Sequence, residues 1–319
     1  MTDLTTTSDA LQRIREAVAT RVLGQEEVID QILAAFIARG HVLLEGVPGT
    51  AKTLLVRVLA GAMDVRFGRV QFTPDLMPSD IAGVSVYQES SRAFEFRPGP
   101  IFTDLLLADE INRAPAKTQS ALLEAMQEHQ VTVDGVTHPL GDVFSVFATQ
   151  NPVEYEGTYP LPEAQLDRFL INVRIDYPRR TAELEMLANY SGGFDAERAS
   201  TFMPAPVITR EEVARLRSMA DTVNVAVEVR EYITDIVRAT REDTSLALGA
   251  SPRATVALFR MARAAAIVAG RDFATPDDVK QHALPALRHR VILAPELQVE
   301  GRSTDDVLAA VLARVPAPQ

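Results

Sequence analysis

The sequence predicts an α/β fold, in which a parallel sheet lies between helices, followed by an all-α domain. An apolar run, a glycine-rich loop and a helical pattern follow one another over residues 41–55. Two further apolar runs, at 105–110 and 143–151, end in polar residues, as buried parallel strands do at the sheet edge that binds ligands. Beyond residue 207 the apolar spacing is helical, with no strand signal of comparable strength.

Length and composition set the division into domains. With 319 residues, 47% of them hydrophobic, the chain can bury a sizeable core and divide in two. We place the α/β domain at residues 1–200 and the helical domain at 207–319, with the proline-containing stretch 202–206 as the linker. The helical domain has four helical patterns, at 209–221, 228–241, 252–270 and 275–290.

Composition also excludes several kinds of site. Cysteine is absent, which excludes disulfides, thiolate metal sites and a cysteine nucleophile. We find no signal peptide and no apolar run long enough to span a bilayer, so we expect a cytoplasmic protein without membrane insertion. The formal charge of −11 opposes general binding to nucleic-acid phosphates, although a basic lining inside a ring or groove would still permit it.

The residues before the first strand leave two interpretations open. Residues 1–8 are predicted to form a polar tail and 9–20 an amphipathic helix. Val22 and Gln25 come next, and apolar residues ahead of a phosphate loop could pack on an adenine ring. A simple turn before a helix at 26–39 explains the same residues at least as well.

The loop after the first strand matches a phosphate-binding loop. Its residues are Gly46, Val47, Pro48, Gly49, Thr50, Ala51, Lys52, Thr53 and Leu54. We expect its amides to hold the α- and β-phosphates of ATP, Lys52 to neutralise the β- and γ-phosphate oxygens, and Thr53 to ligate Mg²⁺. Ala51 replaces a glycine of the motif. We expect its φ to be negative, because a Cβ penalises left-handed conformations.

Two acids end the next buried strand, about 55 residues after the loop. Asp109 is predicted to hold the Mg²⁺ shell, and Glu110 to polarise the attacking water. A strand that ends in Asp-Glu by chance is common. Its position after a phosphate loop in an α/β pattern favours a catalytic function.

The remaining candidates have two interpretations each. Asn151 follows a third buried strand, where its amide could orient the attacking water or cap a turn before Pro152. Arg168 precedes a strand at 169–175, and it is either a solvated charge or a finger that stabilises transition-state charge on a neighbour's nucleotide. Sequence alone favours the solvated charge for Arg168. Hairpins are predicted at 84–96 and at 130–144, the latter around Asp134-Gly135.

Five motifs, in order, resemble the MoxR family of AAA+ ATPases across nearly the whole chain. They are GVPGTAKT at 46–53, LLLADEINRAPAKTQSALLEAMQE at 105–128, FATQNP at 147–152, LDRF at 166–169 and SPRA at 251–254. The resemblance implies that Asn151 is the sensor of the γ-phosphate, Arg168 the finger that reaches the next subunit, and Arg253 the lid arginine on the nucleotide. Whether Arg253 acts in cis or in trans stays open, and Arg113 is a weaker interface candidate.

The resemblance also implies an architecture and a function. The insert at about 84–97 and the hairpin at 130–144 would face the pore of a hexameric ring, and the helical domain would be a lid. The function would be Mg²⁺-dependent ATP hydrolysis that remodels or matures partner proteins, often proteins with a von Willebrand factor A (VWA) domain.

Two other functions remain to be weighed. A nucleic-acid motor or loader would use similar insertions, but the net charge opposes it, and residues 130–144 contain no Lys or Arg. A nucleotide-gated binding module that barely hydrolyses ATP is opposed by the presence of Glu110, Asn151 and Arg168.

Overall fold

The structure is a computed structural model, and it describes residues 2–151 and 157–318. The helices in these ranges are α1 (Thr2–Ala19), α2 (Glu26–Ile37), α3 (Lys52–Ala62), α4 (Pro78–Ala82), α5 (Ala116–Glu128), α6 (Glu163–Leu166), α7 (Arg180–Ser191), α8 (Ala199–Phe202), α9 (Arg210–Thr222), α10 (Val227–Glu242), α11 (Pro252–Val268), α12 (Pro276–Leu287), α13 (Pro295–Val299) and α14 (Thr304–Arg314). The strands are β1 (Val42–Glu45), β2 (Phe67–Gln71), β3 (Gly83–Gln88), β4 (Ala93–Pro98), β5 (Leu105–Asp109), β6 (Gln130–Val133), β7 (Val136–Pro139), β8 (Ser145–Gln150), β9 (Ile171–Arg174), β10 (Leu246–Leu248) and β11 (Ile292–Leu293).

A five-stranded parallel sheet forms the centre of the first domain, in the order β2-β5-β8-β1-β9. All of β5 and most of β8 and β1 are buried, as expected for parallel strands covered on both faces. The predicted α/β fold with a helical second domain is confirmed. Parallel pairing places the ends of β1, β5 and β8 together, which is where the sequence places its polar candidates.

Both predicted hairpins are present beside this sheet. β3 pairs with β4, and β6 pairs with β7. Asp134 and Gly135 have φ values of +50° and +81°, as the tight turn of a twisted hairpin requires. The two hairpins contact each other where the Phe96 ring stacks on His138, with centroids 3.9 Å apart.

The second domain contains the four predicted helices, as α9 to α12, and also elements that the prediction omitted. β10 and β11 form a small antiparallel sheet, so the prediction of an exclusively helical domain was incomplete. These strands have three and two residues, too few for a periodic signal. α14 was also missed, although Ser303 and Asp306 form a capping box at its start.

The predicted polar tail at the N-terminus is wrong, because α1 begins at Thr2. Leu11, Ile14 and Val18 of this helix are fully buried. Once their packing has formed the helix, each further turn adds hydrogen bonds at little extra cost, so the helix can extend into a polar stretch.

The two predicted domains share one continuous hydrophobic core. Its buried residues extend from α1 and α2, through the faces of β1 and α3, into α9 to α12 and α14. Arg217 of α9 lies over the ring of Phe36 in α2, 4.3 Å from its centroid. In the linker, Phe202 is fully buried beneath Arg57. None of the described helices is long and apolar enough to cross a membrane.

Candidate functional site

A cavity of about 670 Å³ opens at the carboxyl ends of β1, β5 and β8. This volume lies within the range of small-molecule and cofactor sites. We call it the phosphate cavity. Its lining includes the predicted residues Val22, Gln25, Pro48, Gly49, Thr50, Ala51, Lys52, Thr53, Leu54, Asp109, Glu110 and Asn151. The structure therefore brings together residues that are as far apart in the sequence as Val22 and Asn151, and α7 and residues 194–197 complete the wall.

The phosphate loop turns sharply before α3. Gly49 has a φ of +85° and Ala51 a φ of +60°, so the expected negative φ of Ala51 is wrong. Ala51 is the residue at which the chain enters α3, and the left-handed conformation there costs a Cβ-bearing residue about 1–2 kcal/mol. The Thr50 hydroxyl closes the loop by donating to Val47 O at 2.9 Å. The surrounding packing therefore imposes the loop conformation on Ala51.

Lys52 lies against the inner side of this loop. Its Nζ donates to Gly46 O and Val47 O, each at 2.8 Å. The backbone carbonyls of Gly46 and Val47 thus hold the Lys52 ammonium against the loop. Burial lowers the pKa of Lys52, while the nearby charges of Asp109 and Glu110 oppose that shift. The ammonium lies against the loop whose amides would bind phosphate oxygens.

Asp109 lies opposite the loop, with both carboxylate oxygens engaged. Its Oδ1 accepts from Thr149 Oγ1 at 2.7 Å, and its Oδ2 accepts from Thr53 Oγ1 at 3.3 Å. Arg69 of β2 also donates to Oδ2, at 2.7 and 3.1 Å. The sequence assigned Thr53 and Asp109 to one predicted Mg²⁺ ion, and it did not indicate Arg69 or Thr149.

The paired oxygens of Thr53 and Asp109 fit Mg²⁺. This ion prefers oxygen ligands and is commonly held by one or two protein groups together with nucleotide phosphates and water. Among the described residues, no three His, Asp or Glu side chains converge into a complete metal cage. The two oxygens would therefore share the ion with the phosphates of a bound nucleotide.

Glu110 has its carboxylate held on the β2 side of the cavity. Gln71 Nε2 donates to Glu110 Oε2 at 2.7 Å, and Arg113 Nε lies 3.1 Å from the same oxygen. The backbone of Glu110 has a φ of +57°, and its N–H donates to Thr149 Oγ1 at 2.8 Å. The Thr149 hydroxyl thus contacts both acids. It donates to the carboxylate of Asp109 and accepts from the backbone N–H of Glu110.

Asn151 follows β8 and is buried in the cavity wall. Its position beside the acids fits the predicted contact with a γ-phosphate. The alternative, a turn cap before Pro152, involves a residue that lies outside the described ranges.

Arg168 and Arg253 lie at a different place, in a cavity of about 320 Å³ at the amino ends of β1 and β9. We call it the arginine cavity. Its charged lining consists of Arg39, Asp167, Arg168, Arg253, Arg260 and Arg290. Arg168 is half-buried and donates to Leu123 O of α5 at 2.8 Å, so it is not a freely solvated charge. Arg253 lies 3.9 Å from Asp167.

The two cavities occupy opposite edges of the sheet. Strands of four to six residues separate these edges by about 13–20 Å. The lining of the phosphate cavity contains no residue after position 197 among those described. Arg168 and Arg253 are therefore near each other but away from the phosphate loop of their own chain.

Comparison with known proteins decides the family. Residues 41–171 match the model of the ATPase family associated with various cellular activities (AAA), and 238–311 match the AAA lid domain. Chaperone MoxR1 of Mycobacterium tuberculosis is 41% identical over 97% of this chain and 82% of its own length. This chain belongs to the MoxR family of AAA+ ATPases. The hairpins β3–β4 and β6–β7 lie within the range that matches the AAA family, and the range that matches the lid begins in α10 and ends in α14.

Two further proteins are similar over most of their length. The uncharacterized protein YeaC of Bacillus subtilis is 47% identical over 93% of this chain and 91% of its own. A crystal structure of a Cytophaga hutchinsonii protein, 40% identical, covers 99% of this chain and 97% of its own with a TM-score of 0.89. The AAA+ fold and the lid therefore recur together in this family.

Proposed function

We propose that this chain is a Mg²⁺-dependent ATPase that assembles into a ring and uses hydrolysis to remodel partner proteins. The observation that carries the proposal is the separation of two complementary half-sites. The phosphate cavity holds the groups that would bind a nucleotide, and the arginine cavity, at the opposite edge of the sheet, holds Arg168 and Arg253. A contact between neighbouring subunits would bring the two together.

Within one subunit the roles follow from chemistry and position. The loop amides and Lys52 bind the phosphates, and Thr53 and Asp109 hold Mg²⁺, which when bound neutralises charge on the β- and γ-phosphates. Glu110 accepts a proton from the attacking water, and Asn151 orients that water against the γ-phosphate. Val22 and Gln25 lie on the base side of the cavity.

The neighbouring subunit supplies the remaining charge. Arg168 is the finger and Arg253 the lid arginine, and both act in trans in this proposal. A finger cation stabilises the transition state of phosphoryl transfer, which accelerates hydrolysis by about 10³-fold or more in related systems. Arg168 gives one of its five N–H donors to Leu123 O, so other donors remain for the neighbour's nucleotide.

The client is proposed to be a protein. The relative at 41% identity is named a chaperone, and the β6–β7 hairpin with its flanks, residues 130–144, carries no Lys or Arg. Both facts favour remodelling of proteins over movement of nucleic acid. We further propose a hexameric ring with both hairpins at its pore, a cytoplasmic location, and clients that include VWA-domain proteins.

A mixing experiment tests the trans arrangement. Lys52→Ala should abolish nucleotide binding, and Arg168→Ala should bind ATP normally yet hydrolyse it very slowly. Mixed in one assembly, some interfaces pair an intact Arg168 with an intact Lys52, so steady-state ATPase activity should reappear although neither parent is active. Native mass spectrometry identifies assemblies that contain both variants, and added DNA provides the control for a nucleic-acid motor.

Two results would contradict the proposal. If mixed assemblies recover no activity, Arg168 does not act on a neighbour. If Lys52→Ala binds ATP with unchanged affinity by isothermal titration, the phosphate cavity is not the nucleotide site.

A further inference from the structure

The arginine cavity contains a marked imbalance of charge. Five arginines line it, and Asp167 is the only carboxylate among its described lining residues. Like charges this close repel each other, and the repulsion increases as water is excluded. Asp221, outside this lining, pairs with Arg39. Asp167 is the carboxylate that contacts Arg253 and Arg290.

Asp167 makes contacts on both sides of the boundary between core and lid. It lies in the turn between α6 and β9, directly before Arg168 in the chain. Its Oδ1 accepts from Arg290 Nε at 2.6 Å, and its Oδ2 accepts from Ser251 Oγ at 3.3 Å. Arg253 NH1 approaches the same Oδ2 at 3.9 Å. Every one of these partners belongs to the lid.

Ser251 connects the carboxylate to the helix that carries Arg253. It is the residue that caps α11, where its hydroxyl oxygen accepts from Arg253 N at 3.2 Å. The start of α11 is thus fixed relative to the turn that carries Arg168. The two proposed trans-acting arginines, one from each domain, are joined through one side chain.

Arg290 is the buried partner of Asp167. Its side chain is 4% exposed, and backbone carbonyls accept from it, among them Leu170 O and Phe169 O. Burial lowers the pKa of Arg290, the nearby Arg253 and Arg260 lower it further, and Asp167 opposes the shift. Backbone oxygens already accept hydrogen bonds from NH1 and NH2 of the Arg290 guanidinium. The particular contribution of Asp167 is therefore its negative charge.

We infer that Asp167 is a positioning residue that holds Arg168 and Arg253 as one unit for use by the neighbouring subunit. The inference rests on the proposed function, in which both arginines act in trans. Without the carboxylate, Arg253, whose side chain is 62% exposed, would move away from the other cations. The neighbour's nucleotide would then meet two arginines whose separation is no longer fixed.

Asp167→Asn tests the inference with little change of shape. The amide oxygen can still accept from Arg290 Nε and the amide NH2 group can donate to Ser251 Oγ, but the negative charge is removed. We expect unchanged ATP affinity and a kcat lower by about tenfold or more, because small misplacements of catalytic groups cost this much. Mixed with Lys52→Ala, which supplies an intact arginine pair, Asp167→Asn subunits should recover activity. Mixed with Arg168→Ala they should not, since both variants are defective donors.

Asp305→Asn is the matched control. Asp305 also links core to lid, through Arg174 and Arg288 at 3.0 Å each, and its side chain is 23% exposed against 18% for Asp167. It lies outside both described cavities. The control should lose stability in thermal unfolding but keep a kcat close to that of the wild type.

The outcomes separate the inference from the function on which it rests. If Asp167→Asn keeps the wild-type kcat, or is slow but not rescued by Lys52→Ala while Arg168→Ala is rescued, the inference is overturned and the trans finger stands. If Arg168→Ala itself is not rescued, both fail. If Asp305→Asn shows the same trans-rescued defect, the effect belongs to core–lid docking in general and the special role of Asp167 is wrong.

Discussion

Ala51 and Glu110 place left-handed backbone on both sides of the phosphate cavity. Neither is glycine, and both have φ values near +60°. Such conformations cost about 1–2 kcal/mol each and persist where the surrounding structure over-determines them. The Glu110 carboxylate accepts from Gln71 Nε2, and Ala51 directly precedes the first turn of α3.

Replacing Ala51 with glycine should remove part of this strain. We expect Ala51→Gly to raise the free energy of unfolding by about 0.5–1 kcal/mol, because relief of the Cβ clash exceeds the extra entropy of the unfolded chain. Ala60→Gly, in the buried interior of the same helix, should lower it by about 1 kcal/mol. Urea unfolding measures both. A destabilised Ala51→Gly would mean that the loop does not strain Ala51.

Replacing Glu110 separates binding from hydrolysis. Glu110→Gln should bind ATP normally and turn over at least about tenfold more slowly, since an amide cannot accept the proton of the attacking water. Glu124→Gln, at an exposed position of α5, is the matched control and should be as active as the wild type. Wild-type turnover by Glu110→Gln would remove that acid from catalysis.

The sequence predicted the local parts of this site and missed the parts that depend on strand order. The phosphate loop and the two acids lie in contiguous motifs, so their chemistry can be read without a fold. Arg69 and Gln71 reach the acids because β2 pairs with β5, with Gln71 opposite Asp109. Only the alternation of side chains along β2 could have suggested that both face the same way.

At the scale of elements, His41 ties the sheet to α5. Its Nδ1 accepts from Val146 N of β8 at 3.0 Å, so Nε2 carries the proton and donates to Met126 O at 3.1 Å. The ring thus joins the start of β1 to its neighbour strand and to the helix that precedes the β6–β7 hairpin. Burial lowers the pKa of His41 to about 3, and the nearby His129, Arg260 and Arg217 add to the shift.

This histidine should make the fold sensitive to acid. Below its unfolded pKa of 6.5 the unfolded chain takes up a proton while the folded ring stays neutral down to about pH 3. Stability therefore falls as the pH falls through this interval, by about 2 kcal/mol at pH 5. His41→Gln should be less stable at pH 7.5 but lose about 2 kcal/mol less between pH 7.5 and 5.

Urea unfolding at the two pH values measures this difference. Equal pH dependence in His41→Gln and the wild type would show that this ring does not stay neutral in the fold.

The elements themselves were predictable to the extent that their signals were local. Asp134-Gly135 fixed the second hairpin, and capping boxes at Thr209 and Thr275 open two of the four predicted lid helices. β10 and β11 could not be found in this way, because their pairing depends on contacts between residues more than 40 positions apart.

At the scale of the whole molecule, the lid is packed against the core and leaves the phosphate cavity uncovered. α9 and α11 lie on α2, and Arg217 lies under the sheet, where it donates to Ser145 Oγ at 2.9 Å. No local pattern predicted this docking, since the sequence specifies the helices and not the face that each one covers. The placement leaves the arginines of the lid near the amino edge of the sheet.

The opposite placement of the two cavities limits the symmetry of any assembly that joins them. A two-fold dimer could join the two cavities only if both lay on one interface, where each arginine cavity would meet the partner's phosphate cavity. The ring proposed here joins them head to tail, and repetition of a head-to-tail contact gives a closed ring or an open filament. An open filament always has one complete site fewer than it has subunits, because its two ends carry unmatched halves. Closing the filament into a ring completes that last site. A ring therefore has one more complete catalytic site than an open filament with the same number of subunits.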